Sequence, residues 1–305
     1  MAGPPPPLAF DTGFTAVPGQ PVELRSGLVR LTAPNPGPYT FTGTNSFILG
    51  HDRVAILDPG PDDAKHRAAL LAAIGGRPVD AILLTHTHKD HSASAASLRQ
   101  ATGAPLWFGG PHRLSRPLRR LEINPLAGEC DWDLAPDRIL PDGEAFTAGG
   151  LALTAVATPG HCANHMCYAL DGAGLLLSGD HVMGWNSTLV AVPDGSMADY
   201  LASLQKLIDL PYQVYHPAHG GPIADGRSYA RALLGHRELR NRQIVEAIGN
   251  GARSIGQLLD RIYPKLSIAL RLAAAMTLTA HVEYLATAGA IRMRPAPLGP
   301  RLSPR

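Results

Sequence analysis

Directly after the apolar run Val79–Leu84 the chain reads Thr85-His86-Thr87-His88-Lys89-Asp90-His91, four candidate metal ligands in six positions. A strand-length apolar run delivers the chain to a sheet edge. Residues of equal parity then point to one side, so His86 and His88 face the same way in an extended segment. Asp90 and His91 fall where a helix is expected to begin. Three imidazoles packed together without a cation would leave polar groups poorly satisfied, so the run predicts a metal site. Imidazole with carboxylate suits zinc best.

The pattern is answered three times downstream. Thr158-Pro159-Gly160-His161 follows the apolar run Leu151–Val156, Ser178-Gly179-Asp180 follows Leu175–Leu177, and His216-Pro217-Ala218-His219-Gly220 follows Gln213–Tyr215. Each time a histidine or aspartate stands just beyond a buried run. Ligands at strand ends place a site on a rigid platform.

Further strand-length runs are Asn45–Leu49, Val54–Leu57, Leu106–Phe108 and Met166–Leu170, bounded by Gly, Pro or Asp. Helix-like segments lie near 62–74, 92–101 and 196–209, the last opening with Ser196 as an N-cap. The Pro- and Gly-rich residues 1–37 read as an irregular lead-in with one or two edge strands. Strands interleaved with helices up to about residue 225 imply a layered α/β domain. Beyond it the texture is helical. Ser228–Ile248 reads as one long amphipathic helix, Ser254–Tyr263, Ile268–Met276 and Thr279–Ala288 as three shorter ones, and Ala290–Met293 as a short extended piece. The expected division is therefore 1–226 and 227–305, the second part similar to a winged helix.

Charge follows the same division. Residues 227–305 hold 13 Lys+Arg and 4 Asp+Glu, a net of +9, against 14 and 21 before them, a net of −7. An acidic, histidine-rich part suits cations, and a basic tail could face a polyanion. No apolar run approaches the ~20 residues needed to cross a bilayer, so no membrane segment is expected. The start shows no secretion signal. Three cysteines, Cys130, Cys162 and Cys167, are too few for a disulfide framework and fit a cytoplasmic protein.

The ordered set HTHKDH, PGH, GD and AHG, with Asp58 ahead of it in Leu57-Asp58-Pro59-Gly60, resembles the metallo-β-lactamase fold superfamily of dinuclear metallohydrolases. The resemblance spans roughly residues 44–220 and implies an α/β fold, the αββα sandwich of that superfamily. It implies that His86, His88 and His161 bind one metal and Asp90, His91 and His219 a second, with Asp180 bridging. Asp90 and Asp180 become the catalytic carboxylates, and Asp58 an outer carboxylate holding a ligand histidine in the right tautomer. Two zinc ions are the implied cofactor, with iron or manganese as alternatives. The family motif selects His219 over His216 and leaves Cys162 a small buried residue.

More narrowly, Asn35-Pro36-Gly37-Pro38, Thr42-Gly43-Thr44-Asn45, His165 four residues beyond His161, and the helical tail resemble the β-lactamase-like protein 2 group. That group pairs the fold with a C-terminal winged helix and includes a mitochondrial endoribonuclease. The tail lacks a clear counterpart of the glutathione-binding residues of glyoxalase II, a cousin.

Together these imply an enzyme: a hydrolase in which a hydroxide shared by two zinc ions attacks a carbonyl or phosphoryl centre. The favoured substrate is a small acyl compound (ester, thioester, lactone or lactam), with the tail shaping the pocket or a homodimer surface. The alternative is an endoribonuclease holding RNA through the basic tail and Arg113–Arg120. Against it, Thr279–Ala288 contains Glu283 and no Lys or Arg, which suits groove binding poorly. Candidate pocket walls are Asn45, Trp107, Phe108, the Met183–Val190 loop with Trp185 and Asn186, and the 110–143 connection.

Overall fold

The computed structural model describes residues 8–120, 122–294, 296 and 299–305. One sheet runs, in spatial as in chain order, through β1 (Val22–Arg25), β2 (Leu28–Thr32), β3 (Asn45–Gly50), β4 (Val54–Leu57), β5 (Val79–Leu83), β6 (Leu106–Phe108) and β7 (Arg138–Ile139). Its first four strands pair antiparallel, and β4 to β7 pair in parallel. The parallel pairs need crossovers, supplied by α1 (Ala64–Ile74) before β5 and by α2 (Lys89–Ser92) and α3 (Ala95–Thr102) before β6. The second sheet holds β8 (Ala145–Ala148), β9 (Leu151–Ala157), β10 (Met166–Leu170), β11 (Leu175–Gly179) and β12 (Val214–Pro217) in the order β12-β11-β10-β9-β8. Its one parallel pair, β11 with β12, is bridged by α4 (Met197–Asp209).

Strand parity dictates the layers. In β3, Phe47 and Leu49 enter the core between the sheets while Ile48 packs outward under α1 and α3; in β4, Ala55 and Leu57 oppose Val54 and Ile56 in the same way. On the second sheet Met166, Tyr168 and Leu177 face the first sheet. Cys167, Ala169 and Leu176 turn the other way, toward Tyr200, Leu204 and Leu207 of α4. Both faces of each sheet are covered, so strands read as continuous apolar runs. The result is the expected αββα sandwich. Sequence reading anticipated the central strands but not β7 or β8, whose short runs lie among turn residues; of the one or two edge strands expected in residues 1–37, β1 stands at the edge, whereas β2 pairs on both sides, with β1 and β3.

After β12 come α5 (Gly226–Gly249), α6 (Ile255–Ile262), α7 (Ile268–Thr287) and a hairpin of β13 (Ile291–Arg294) with β14 (Arg301–Pro304). They enclose a core of Ile244, Ile248, Leu258, Leu278, Val282, Ile291 and Leu302. Two helices were expected over 268–288; one continuous helix stands there. No Gly or Pro interrupts Met276–Thr279, and Thr279 Oγ1 bonds back to Ala275 O at 2.8 Å instead of capping a new helix. Among the described residues no helix is long and apolar enough to cross a membrane.

The tail also holds its histidines uncharged. Burial, then the nearby Arg237 and Arg240, push His236 down to about 4 and His281 well below the ordinary imidazole range. Both are neutral in the fold and take up a proton only on unfolding as pH drops below ~6.5. Their contribution is therefore complete above that pH and is lost toward about pH 4. The thermal midpoint should fall between about pH 7 and pH 5 by calorimetry, and His281→Asn should flatten that fall.

Candidate metal centre

Every predicted ligand emerges from a strand end or the turn after it. β5 delivers Thr85 to His91, β9 leads to His161, β11 to Asp180 and β12 to His219. Asp58 directly follows β4, and its φ of 50° lies in the left-handed region that few non-glycine residues adopt. The turn aims its carboxylate under the motif. Oδ1 accepts from Thr85 N at 2.7 Å; Oδ2 accepts from Thr85 Oγ1 at 2.7 Å and from His91 Nδ1 at 3.0 Å.

The outer hydrogen bonds fix each tautomer. Thr85 Oγ1 gives its proton to Asp58, so at 2.9 Å it accepts from His86 Nδ1. His161 Nδ1 donates to Leu189 O at 2.7 Å, and His88 Nε2 donates to Asp194 Oδ2 at 2.9 Å. The inner atoms, His86 Nε2, His88 Nδ1 and His161 Nε2, therefore present lone pairs to one another. His88 Nδ1 lies 3.0 and 2.9 Å from the other two. Beside this trio stands a second one. His91 Nε2 and His219 Nε2 each lie 3.3 Å from Asp90 Oδ2. Asp180 joins the two groups: Oδ2 is 3.6 Å from both His161 Nε2 and His91 Nε2, and Oδ1 is 3.3 Å from His219 Nε2.

Acceptors facing acceptors in a buried site repel unless a cation or protons lie between them. His91 Nε2 and Asp180 Oδ1 are enclosed with no hydrogen-bond partner. Burial, and then the His88 imidazole, hold His161 at about 4. Burial also opposes charge on His219, but Asp180 and Asp90 outweigh it and raise the ring to about 9. The same balance lifts His91 well above the ordinary range. Carboxylates that recruit protons in this way are matched equally by divalent cations. The donor set fits divalent metal.

The structure thus brings all seven predicted ligands together and sets Asp58 behind His91. His216 lies apart, its ring edge-on to Phe47 with centroids 6.4 Å away. Cys162 is outside the cluster, its Sγ 3.3 Å from Asn164 Oδ1. His165 bonds Thr158 Oγ1 through Nδ1 and accepts the Asp180 backbone N–H on Nε2 at 3.1 Å, so it positions Asp180.

Sequence reasoning missed Asp194. It is fully buried, accepts from His88 and has His112 Nε2 2.9 Å from its other oxygen. His112 Nδ1 in turn meets Thr87 Oγ1 at 2.9 Å, returning the chain of contacts to the motif. In Pro193-Asp194-Gly195-Ser196 the residue looks like an ordinary turn before the α4 N-cap; its spacing carries no ligand signal.

The cluster opens into a cavity of 520 Å³. His88, Asp90, His161 and Asp180 form its floor, and Trp185, Asn186 and Leu189 one side. More of the lining comes from the tail, including Tyr263, Leu270 and Met276. Three expected wall residues do not line it. Asn45 is buried and clamps Pro217 O and Gly220 O at 3.1 and 2.9 Å. Trp107 packs edge-on to Phe146, and Phe108 is buried beneath α3, because β6 is an interior strand whose two faces both meet core. From the 110–143 connection, Pro125, Leu126 and Glu129 reach the cavity.

Gly160 fixes how closely α4 approaches the site. Its φ is 144°, and a Cβ there would stand 2.4 Å from Tyr200 Cα. Gly160→Ala should push α4 off the His161 turn, costing several kcal/mol on the scale of ~1–3 for overpacking plus backbone strain. Chemical denaturation and metal content of the variant check this.

The profile of the Metallo-beta-lactamase superfamily matches residues 39–219. An atrochrysone carboxyl ACP thioesterase of Aspergillus fumigatus is 28% identical over 80% of this chain and 75% of its own length. A beta-lactamase-like protein 2 homolog of Caenorhabditis elegans is 27% identical over 84% and 83%. A crystal structure of a metallo-beta-lactamase family protein from Thermus thermophilus is 29% identical, covers 93% of this chain and 100% of its own, and superposes with a TM-score of 0.74. With the fold, the buried cluster and a profile match over more than half its length, this chain belongs to the metallo-beta-lactamase superfamily and is a hydrolase.

Proposed function

We propose that the chain is a dinuclear zinc hydrolase of small acyl compounds, thioesters or esters foremost. The observation that carries the reading is the convergence of seven candidate ligand side chains, six of them buried, on one cluster, of which His88, Asp90, His161 and Asp180 face the cavity. His86, His88 and His161 would hold one ion and Asp90, His91 and His219 the other, with Asp180 shared and Asp58 keeping His91 in register. Such ions supply Lewis acidity and bring the pKa of water from 15.7 to about 7.

The chain's own groups do the rest. The Asp90 side chain is 29% exposed toward the cavity, the most open of the carboxylates. The imidazoles of His91 and His219 hold it ionised against burial, which suits it to orient attacking water and accept its proton. Asp180, more enclosed, stays ionised for the same reason and keeps the two halves of the site at fixed separation. The apolar tail residues exclude bulk water and receive the acyl body.

An acyl substrate is supported by the apolar cavity and by the relative named as an ACP thioesterase. Phosphodiester cleavage is less well supported. Arg116 pairs with Glu122 and Glu283, and Arg119 with Glu283, so two arginines of the connection are already neutralised. Residues 227–305, read as a winged-helix-like unit, would serve as cavity wall. The test compares a chromogenic thioester, a lactone, a chromogenic cephalosporin and single-stranded RNA at low and high salt. Thioester hydrolysis abolished by a chelator and restored by zinc is expected, with metal analysis giving about two ions per chain. RNA cleavage that fades with salt, with acyl substrates untouched, overturns the reading.

A further inference from the structure

A buried cation without a counter-ion stands in the wall of the same cavity. Arg237, on α5, is 3% exposed and lines the space above the metal cluster. Its Nη2 donates to Thr188 O, and its Nε is enclosed with no acceptor. Arg116 and Arg119 find Glu283, whereas among the described residues no Asp or Glu pairs with Arg237. Its guanidinium carbon lies 5.1 Å from the Tyr200 ring centroid, which accommodates the group without neutralising it. Trp185, also in the wall, likewise leaves its Nε1 donor enclosed and unpartnered. Both groups can only donate. Burying an uncompensated guanidinium is costly, and a ligand that brings one negative charge removes the cost.

We propose that Arg237 is an anion subsite that takes a carboxylate on the substrate, remote from the bond that is cut. One guanidinium balances one charge, and its planar fork matches a carboxylate. Tyr263, Leu270 and Met276 surround the rest of the same space with apolar groups. The substrate class is then an acyl compound whose apolar body ends in a free carboxylate. This rests on the acyl-hydrolase reading for the reaction, though not for the binding.

A purely structural role competes. Arg237 holds Thr188 O, Thr188 Oγ1 donates to Asp180 O at 2.6 Å, and Leu189 O accepts from His161, so the arginine could be a strut behind two ligands.

The deciding experiment uses the full-length, metal-loaded protein and two non-hydrolysable amides of one medium-chain dicarboxylic acid. One has its distal carboxylate free and the other has it as a primary carboxamide. Binding is read by titration calorimetry, with metal content measured in parallel. The wild type should bind the free acid at least ~10-fold more tightly, the scale of a hydrogen bond to a charged group. Arg237→Gln should bind the two alike, with metal content and affinity for the carboxamide unchanged. Arg237→Lys should recover part of the preference and serves in its place if the glutamine variant does not fold. Equal binding by the wild type overturns the proposal. So does a preference that persists in Arg237→Gln, or an equal loss of both ligands together with metal. The matching thioesters separate the two readings: an Arg237-dependent preference in binding without hydrolysis leaves the subsite standing and removes the acyl-hydrolase reading.

Discussion

Asp180→Ala should fold, hold fewer than two metal ions per chain and lose more than ~10²-fold in turnover. Asp180 is the carboxylate that approaches both histidine groups, through Oδ2 toward His161 and His91 and Oδ1 toward His219. Removing an outer partner of a metal ligand already costs about 10–100-fold, and a shared ligand should exceed that. The fold should survive because the Asp180 backbone remains tied by His165 and Thr188. Inductively coupled plasma analysis and a thermal melt separate the two effects. Two ions and full turnover in the variant would sink the shared role.

Asp194→Ala should weaken metal binding by about 10–100-fold although Asp194 belongs to neither ligand group. Its carboxylate is what makes His88 Nε2 the donor and Nδ1 the inward lone pair. Without it the imidazole can adopt the other tautomer and turn a proton toward His86 and His161. Burial would raise the Asp194 pKa, but contacts to His112 and His88 hold it well below the usual carboxylate range, so the charge is present at neutral pH. Losing it also strands His112, and an unpaired buried polar group costs about 1–3 kcal/mol. Asp194→Asn keeps the shape and should fall between the two. Chelator competition gives the affinity, and nitrogen NMR of the histidine rings reads the tautomer directly. An unshifted His88 ring in Asp194→Ala would contradict the assignment.

The fold and the metal cluster were legible because both follow from local rules. Parity in β3, β4 and β10 decides which face each apolar residue takes, and a ligand placed just after a buried run lands at the sheet edge. Asp194 was not legible, since its role depends on a turn meeting His88 from 106 positions away. The cavity wall failed for the same reason. Trp107 and Phe108 look like strand-end contacts until the second sheet and α3 cover them, whereas Tyr263 and Met276 belong to a helical tail that gives no local hint of the site. The split once expected in α7 reflects another limit: Leu278 must be buried, and only the packed partner shows that the helix continues through it.

The tail's contribution to the cavity separates what reacts from what is chosen. Residues 263–277 supply part of the lining yet include none of the seven candidate ligands, which all issue from the sandwich. Drift along that segment can retune selectivity for length, bulk or branching while the reactive machinery stays untouched. A lineage built this way diversifies by re-upholstering one partition, and exchanging that stretch between relatives is the economical route to altered substrate preference.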